Sequence, residues 1–562
     1  MRALAQTMQG NRQSFESEKV HCLIGIKAGG LLRRYLPPLM RIDTLLVCLA
    51  VSGVSATAAA AQGNRSPAPA NGADLNPTLR SGQAVYDQHC AACHNANGDG
   101  HGPAAAWLFP KPRNFSAGLF KIQSTPAGSL PSDEDLYESI TRGLGGSSMP
   151  GFTYLSEKER RDVVQYVKHL TAEIGPDGKR INKFEQAKAQ DQIAPSIPVP
   201  PEPPLTLDSI TRGQEFFTRL QCAACHGETG AGDGPSAPTL KDREGIPVIP
   251  RDFNTGAFRG GAAGRDLYLR IAVGLAGTPM LGFPDDVLKP DERWDLVHYV
   301  QSLRRKDMEV NDILAPENGL IKVSKSRKAL PLDPTHPDWE RVEAARVPLN
   351  PLWPEPDPIP AVAVRTLHDG KQIAILLQWR DAIANGAPVR VQDFQDAAAL
   401  QFSLNGTTPF LGMGDPKNPV NVWQWKAGWQ AEIDGQREDV HTEYASMHVD
   451  VYPETTALYR TAEAAGNLLA RIHSSPIEDA TAWGFGTMKS QSLKGQNVRG
   501  KGVWRDGFWN VLCVRELKSK EAEDVKFTPG KPVPVAFAIW NGQQRDRNGR
   551  KVISNWFQLV LE

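Results

Sequence analysis

Two patterns of hydrophobic and polar positions divide the chain. In the first half, apolar residues recur at helical spacing. Val163, Val164, Tyr166, Val167 and Leu170 make one stripe, and Trp294, Leu296, Val297, Tyr299, Val300 and Leu303 make another. Each stripe predicts an amphipathic helix that closes a small helical domain. Beyond about residue 360 the period shortens to two, in runs rich in β-branched and aromatic residues at Ile373–Trp379, Trp509–Val514, Val533–Trp540 and Ile553–Leu561. Turn dipeptides separate them at Asp369-Gly370, Asn405-Gly406, Asp434-Gly435, Asp506-Gly507, Asn541-Gly542 and Asn548-Gly549, a hairpin signature. The expected fold class is therefore two all-α domains, at 75–180 and 205–310, followed by an all-β antiparallel sandwich at 360–562.

The connecting segments read differently. Residues 190–204 hold Ile197-Pro198-Val199-Pro200-Pro201-Glu202-Pro203-Pro204, which suits a stiff spacer. Residues 311–359, with Pro331, Pro334, Pro337 and the run from Pro351 to Pro358, read as an irregular linker. Residues 1–61 read as a targeting segment. Arg33, Arg34 and Arg41 precede an apolar run from Thr44 through Val54, and Ala58–Ala61 supply a small-residue cleavage site. The patternless stretch before it suggests that Met40 is the true start. This apolar run is shorter than the ~20 residues a spanning helix needs. The expected product is exported, periplasmic and soluble after cleavage.

The first half repeats itself. Gly82-Gln83 matches Gly213-Gln214, Pro112-Arg113-Asn114-Phe115 matches Pro250-Arg251-Asp252-Phe253, and Asp135-Leu136-Tyr137 matches Asp266-Leu267-Tyr268. Gly145–Phe152, with Met149, aligns with Ala276–Phe283, with Met280. Each copy carries Cys-x-x-Cys-His, at Cys90-Ala-Ala-Cys93-His94 and Cys222-Ala-Ala-Cys225-His226. Two cysteines three apart on a turn form thioethers to the porphyrin vinyls, and the next histidine then faces the iron. A redox dithiol or half a zinc site would not require the adjacent histidine.

Two covalent c-type haems are expected, held by Cys90 and Cys93, and by Cys222 and Cys225, with His94 and His226 on iron. Met149 and Met280 are the only methionines of segments 82–170 and 213–303. They lie 55 and 54 residues after their histidines, which makes them the candidate sixth ligands. Arg113 and Arg251, at equivalent places, are candidates for the haem propionates, although an ordinary surface arginine would read the same. His89 and His101 have no counterpart in the second copy and read as surface residues or as neighbours of the first site.

Charge removes one class of function. Of 562 residues, Lys plus Arg and Asp plus Glu each total 63, and no nucleic-acid motif or basic stripe appears, so nucleic acid is not an expected partner. Cys22 and Cys48 fall in the leader and four more in the haem motifs, which leaves Cys513 alone in an apolar strand. A disulfide framework is excluded, and Cys513 reads as inert core.

The two repeats resemble class I cytochrome c domains. In the second half, three segments stand out: Phe410-Leu-Gly-Met413 with Trp423-Gln-Trp425, Gly502-Val-Trp504 through Trp509, and Phe537-Ala-Ile-Trp540 with Arg547-Asn-Gly-Arg-Lys551. They resemble the haem-b-binding γ subunits of ethylbenzene dehydrogenase and its relatives, among them dimethyl sulfide dehydrogenase, selenate reductase and chlorate reductase of the DMSO reductase family. The resemblance implies a third, non-covalent haem b held by a methionine and a lysine. Met413 matches the methionine and Lys551 is the best match for the lysine, with Lys489 and Lys501 as rivals and a bis-histidine pair, His441 and His448, as another arrangement. A neutral lysine needs a dry pocket, which Trp540 and Trp556 are placed to supply.

The expected function is that of an electron-transfer subunit rather than a catalyst by itself. It would pass electrons between the molybdopterin and iron–sulfur subunits of an oxidoreductase and soluble or membrane-bound respiratory carriers. Two other readings stay open: a dihaem peroxidase, and a dihaem cytochrome bearing a carbohydrate-recognition-like module.

Overall fold

The computed structural model describes residues 75–174, 180–304, 319–436 apart from Ala387 and Val389, and 473–562, together with Tyr444 and Ser446. The leader, Met40, His441 and His448 lie outside the described residues.

The first helical domain comprises α1 (Pro77–His89), α2 (Ala91–His94), α3 (Asp133–Arg142) and α4 (Glu157–Leu170). Capping boxes fix two of its starts, Ser132 with Asp135 at α3 and Ser156 with Glu159 at α4. Helices α1 and α4 cross at Gly82, where a Cβ would sit 2.2 Å from the Asp162 carbonyl oxygen. Only a residue without a side chain allows that approach. Tyr86, Val163, Val164 and Tyr166 are buried around the crossing. A short hairpin of β1 (Ala172–Ile174) and β2 (Arg180–Asn182), then α5 (Lys183–Ala189), completes this half.

Residues 190–204 are not a free-standing spacer. Ile197 N donates to the Ser124 carbonyl at 2.8 Å, the Ser124 and Ser196 hydroxyls lie 2.7 Å apart, and Val199 packs on the second domain's core. The second domain repeats the first with α6 (Leu207–Arg219), α7 (Ala223–His226), α8 (Gly264–Val273) and α9 (Pro290–Ser302). Its crossing is made at Gly213, where a Cβ would lie 2.0 Å from the Asp295 carbonyl oxygen.

The last domain is a sandwich, and it begins earlier than the period-two pattern suggests. Within the segment expected to be irregular, β3 (Leu320–Lys325), β4 (Ala345–Pro348) and β5 (Asn350–Pro351) pair into the sheets. Proline obscures β4 and β5, which are short and end in Pro348 and Pro351, whereas β3 alternates exposed and buried residues over Leu320–Val323. The remaining strands are β6 (Ala361–His368), β7 (Gln372–Arg380), β8 (Ala397–Ser403), β9 (Val420–Lys426), β10 (Ile477–Ala482), β11 (Lys489–Ser490), β12 (Arg499–Arg505), β13 (Phe508–Glu516), β14 (Val533–Trp540), β15 (Val552–Ile553) and β16 (Phe557–Leu561).

One layer runs β11-β10-β9-β8-β14-β16 and the other β6-β7-β13-β12, and β3 joins them. Its pairings with β16 and β6 are parallel, so the sandwich is not purely antiparallel. Asp506 and Gly507 both take positive φ, 53° and 80°, between β12 and β13, the two-residue turn their dipeptide predicted. Trp379, Trp423, Trp425, Trp509 and Phe402 fill the space between the layers. The run expected as one strand at 553–561 is broken into β15 and β16 at Ser554–Trp556.

Candidate functional site

In the first domain one apolar cleft is lined by Cys90, Cys93, His94 and Met149 together. The cysteines start and end the turn that becomes α2, and burial pushes both thiols up to about 12. His94 Nδ1 lies 2.9 Å from the Arg113 carbonyl oxygen, so the ring donates there and leaves Nε2 as the free donor for a metal. Its face stacks on Phe115 at 4.5 Å, and burial lowers its pKa to about 4. The imidazole is neutral, as a ligand must be.

The second domain reproduces this. His226 Nδ1 lies 3.2 Å from the Arg251 carbonyl oxygen, the ring stacks on Phe253 at 4.4 Å, and burial again lowers its pKa.

The methionine loops are also copies. Leu144 N donates to the Met149 carbonyl at 3.1 Å and Leu275 N to the Met280 carbonyl at 3.0 Å. Ser147 and Thr278 each return their hydroxyl to the leucine carbonyl, at 2.6 Å and 2.8 Å. Gly143 and Gly274 open the loops at φ 70° and 76°, where a Cβ would meet backbone at 2.5 Å in both. Arg113 Nη2 and Arg251 Nε are sealed from solvent with no hydrogen-bond partner. The donor set and these orphaned guanidinium nitrogens fit a haem with its propionates.

His101 is exposed, but His89 is buried. Burial lowers its pKa to about 4, and its Nδ1 lies 3.3 Å from the Tyr154 hydroxyl at the edge of the first cleft.

A third cluster lies on the outer face of the β9-β8-β14 sheet. Met413, held at φ 74° between Gly412 and Gly414, packs with Leu411 and Tyr154 against Val420, Val422, Trp540 and Trp556. Lys551 Nζ stands over the Trp540 ring, 4.6 Å from its centre, and burial lowers its pKa to about 8. The rivals are placed elsewhere. Lys501 pairs with Asp333 at 2.8 Å near the surface, and Lys489 is exposed.

The cytochrome c family matches residues 79–171 and 210–304, and the ethylbenzene dehydrogenase family matches residues 336–552. The chain joins two cytochrome c domains to an ethylbenzene dehydrogenase domain. Its cytochrome c domains make it a haem protein of electron transfer, with haem attached covalently.

Among relatives, it is 29% identical to a protein of Haloferax mediterranei provisionally named respiratory nitrate reductase heme subunit ORF7, over 43% of this chain and 73% of that protein. It is 28% identical to the chlorate reductase subunit gamma of Ideonella dechloratans, over 35% of this chain and 64% of that one, a little under two thirds of its length. Among solved structures, it is 40% identical to a chain of the reducing HAO-like protein complex of Kuenenia stuttgartiensis, over 40% of this chain and 96% of that one, with a TM-score of 0.37.

The ethylbenzene dehydrogenase domain abuts the first cytochrome c domain. Its Phe410 and Leu411 line the first haem cleft, and its Thr408 carbonyl accepts from Gln88 Nε2 at 3.2 Å. Tyr154 lies between His89, beside the cleft, and the Met413 cluster. Tyr154, Lys121 and Arg259, which no motif marks, border these sites, as do Phe410 and Leu411, which the sequence shows only as part of the segment leading to Met413. Two had a signal: Lys121 and Arg259 occupy equivalent positions after Phe120 and Phe258 in the two copies. Cys513 is wholly buried in β13, where burial pushes its thiol up to about 12. Among the described residues no helix is long and apolar enough to cross a membrane.

Proposed function

We propose that this chain is the electron-transfer subunit, or a close partner, of a periplasmic molybdopterin oxidoreductase, and that it carries two haems c and one haem b between the iron–sulfur subunit and respiratory carriers. The observation that carries the reading is the composition of the first cleft's wall. Residues of all three domains line it: His94 and Met149 from the first, Arg259 from the second, and Phe410 and Leu411 from the ethylbenzene dehydrogenase domain. A shared wall suits a relay, because the central site touches both neighbours. The nitrate and chlorate reductase subunits among its relatives support an oxidoreductase partner.

Haem, when bound, supplies reversible one-electron chemistry at iron. The chain's residues do the rest. Cys90, Cys93, Cys222 and Cys225 anchor the two haems c. His94 and His226, held in one tautomer by the carbonyls of Arg113 and Arg251, would offer Nε2 to the haem iron, and Met149 and Met280 would offer a thioether, a ligand pair that raises the potential. Met413 and Lys551 would hold haem b, in a pocket whose burial lowers the amine's pKa to about 8 and so eases the loss of its proton to a metal. Ligation by Met149 and Met280 would leave neither haem c iron open to peroxide, which favours electron transfer over peroxidase chemistry.

The test is haem chemistry on the purified exported protein. Mass spectrometry of the denatured chain is expected to show two haem additions, and acid acetone to extract a third haem as haem b. Finding high-spin haem c reactive with peroxide, or no extractable haem, would overturn the three-haem relay.

A further inference from the structure

Both cytochrome c domains carry the same run, Pro112-Arg113 to Phe120-Lys121 in one and Pro250-Arg251 to Phe258-Arg259 in the other. Each copy thus contributes two cations, and the fold brings all four to the contact between the domains. Arg251 Nη1 donates to the Gly146 carbonyl in the other domain's methionine loop at 3.1 Å. Reciprocally, a Cβ on Gly277, in the second methionine loop, would lie 3.7 Å from Arg113 Nη1. Each propionate-candidate arginine therefore rests against its neighbour's methionine loop.

Arg259 goes further. It belongs to the second domain, yet it lines the first domain's haem cleft beside Arg113 and Lys121. Its Nε is sealed from solvent with no hydrogen-bond partner, as is Arg113 Nη2. Burial, reinforced by Arg251, lowers Arg259 to about 10, and burial with Arg113 and Arg259 nearby lowers Lys121 to about 8. Asp242 and Glu244 act on Arg113 and Lys121, and Asp252 on Arg251, only at a distance. Among the described residues none of the four cations is in an ion pair. Cations taken out of water against an apolar wall are costly unless an anion joins them.

We propose that Arg259 binds a propionate of the first domain's haem, together with Arg113 and Lys121, so that the second domain completes the first haem site. The proposal rests on the haem c reading of that cleft. Its consequence is electrostatic: a fixed positive charge beside the propionates favours the electron-rich ferrous state, so Arg259 raises the first haem's potential. Arg259 is then a haem-binding residue contributed across the domain contact.

The experiment is a redox titration of the full chain carrying Arg259→Gln, after mass spectrometry shows both haems attached. The couple lost in a Cys90→Ala/Cys93→Ala chain identifies the first haem. The expected result is a downward shift of the first haem's midpoint potential, a smaller shift at the second, and return toward the native value in Arg259→Lys. An unchanged first potential, a shift confined to the second haem, or a shift that lysine does not reverse would overturn the proposal. Should Arg259→Gln not accumulate, Lys121→Gln is read the same way, with a downward shift supporting the site and no shift overturning it. A native chain with no covalent haem would instead sink the haem reading itself.

Discussion

Lys551 Nζ stands 4.6 Å from the centre of the Trp540 ring, in the same aromatic cluster that packs Met413. This placement separates Lys551 from Lys501, whose charge is met by Asp333 at 2.8 Å. Lys551→Ala is expected to abolish a low-spin haem b spectrum, and Lys501→Ala to leave it intact. Equal loss in both variants would remove Lys551 from the site.

The same burial sets a pH dependence. Lys551 titrates near 8 when folded, against 10.5 ordinarily, so between those values the unfolded chain holds a proton that the folded chain does not. Stability attributable to this group therefore rises with pH through that window, and below about 8 the cost of the buried charge is borne in full. Coordination of a metal by the amine has the same sign, because it too requires the neutral form. Melting of wild type against Lys551→Met from pH 7 to 10 checks this: the variant should lose that part of the upward slope.

Met149→His and Met280→His should each keep iron low-spin while lowering the potential of one haem, because imidazole replaces a thioether that favours ferrous iron. Potentiometric titration reads the shift. Unaltered potentials in both variants would mean that neither methionine is a ligand.

Gly82→Ala and Gly213→Ala should each damage one cytochrome c domain. The new Cβ would lie 2.2 Å or 2.0 Å from a carbonyl oxygen of the crossing helix, and neither backbone can yield cheaply. Overpacking of this kind costs about 3 kcal/mol. Calorimetry should show one transition lowered and the sandwich transition unmoved.

A fragment covering 360–562 lacks β4 and β5, which pair with β6 and β15, and β3, which pairs with β16 on one side and β6 on the other. It also loses Ile321 and Val323, which are 2% and 0% exposed and whose burial is worth about 1.5–3 kcal/mol each. Two unpaired sheet edges would be left exposed. A fragment beginning at residue 319 is expected to melt cooperatively at a higher temperature than one beginning at 360. Equal melting temperatures would show that the strands of 319–359, β3 among them, do not stabilise the sandwich.

The sequence alone determined what is local. Cys-x-x-Cys-His dictates a turn that presents two thiols and an imidazole to one porphyrin, and the helical stripe ending at Leu170 or Leu303 dictates which face is buried. Asp506-Gly507 dictates a tight hairpin because both residues tolerate positive φ. The repeat itself, read across Arg113 and Arg251 or Met149 and Met280, marked equivalent chemistry in two domains. Tertiary structure decided what depends on segments far apart in the chain. It buried His89 beside Tyr154, placed Lys551 over Trp540 while Lys501 met Asp333, joined two sheet layers through β3, and carried Arg259 from one domain into the cleft of the other. Such juxtapositions have no periodicity to reveal them, because they arise where packed surfaces meet and the residues that meet there are set by the geometry of whole domains.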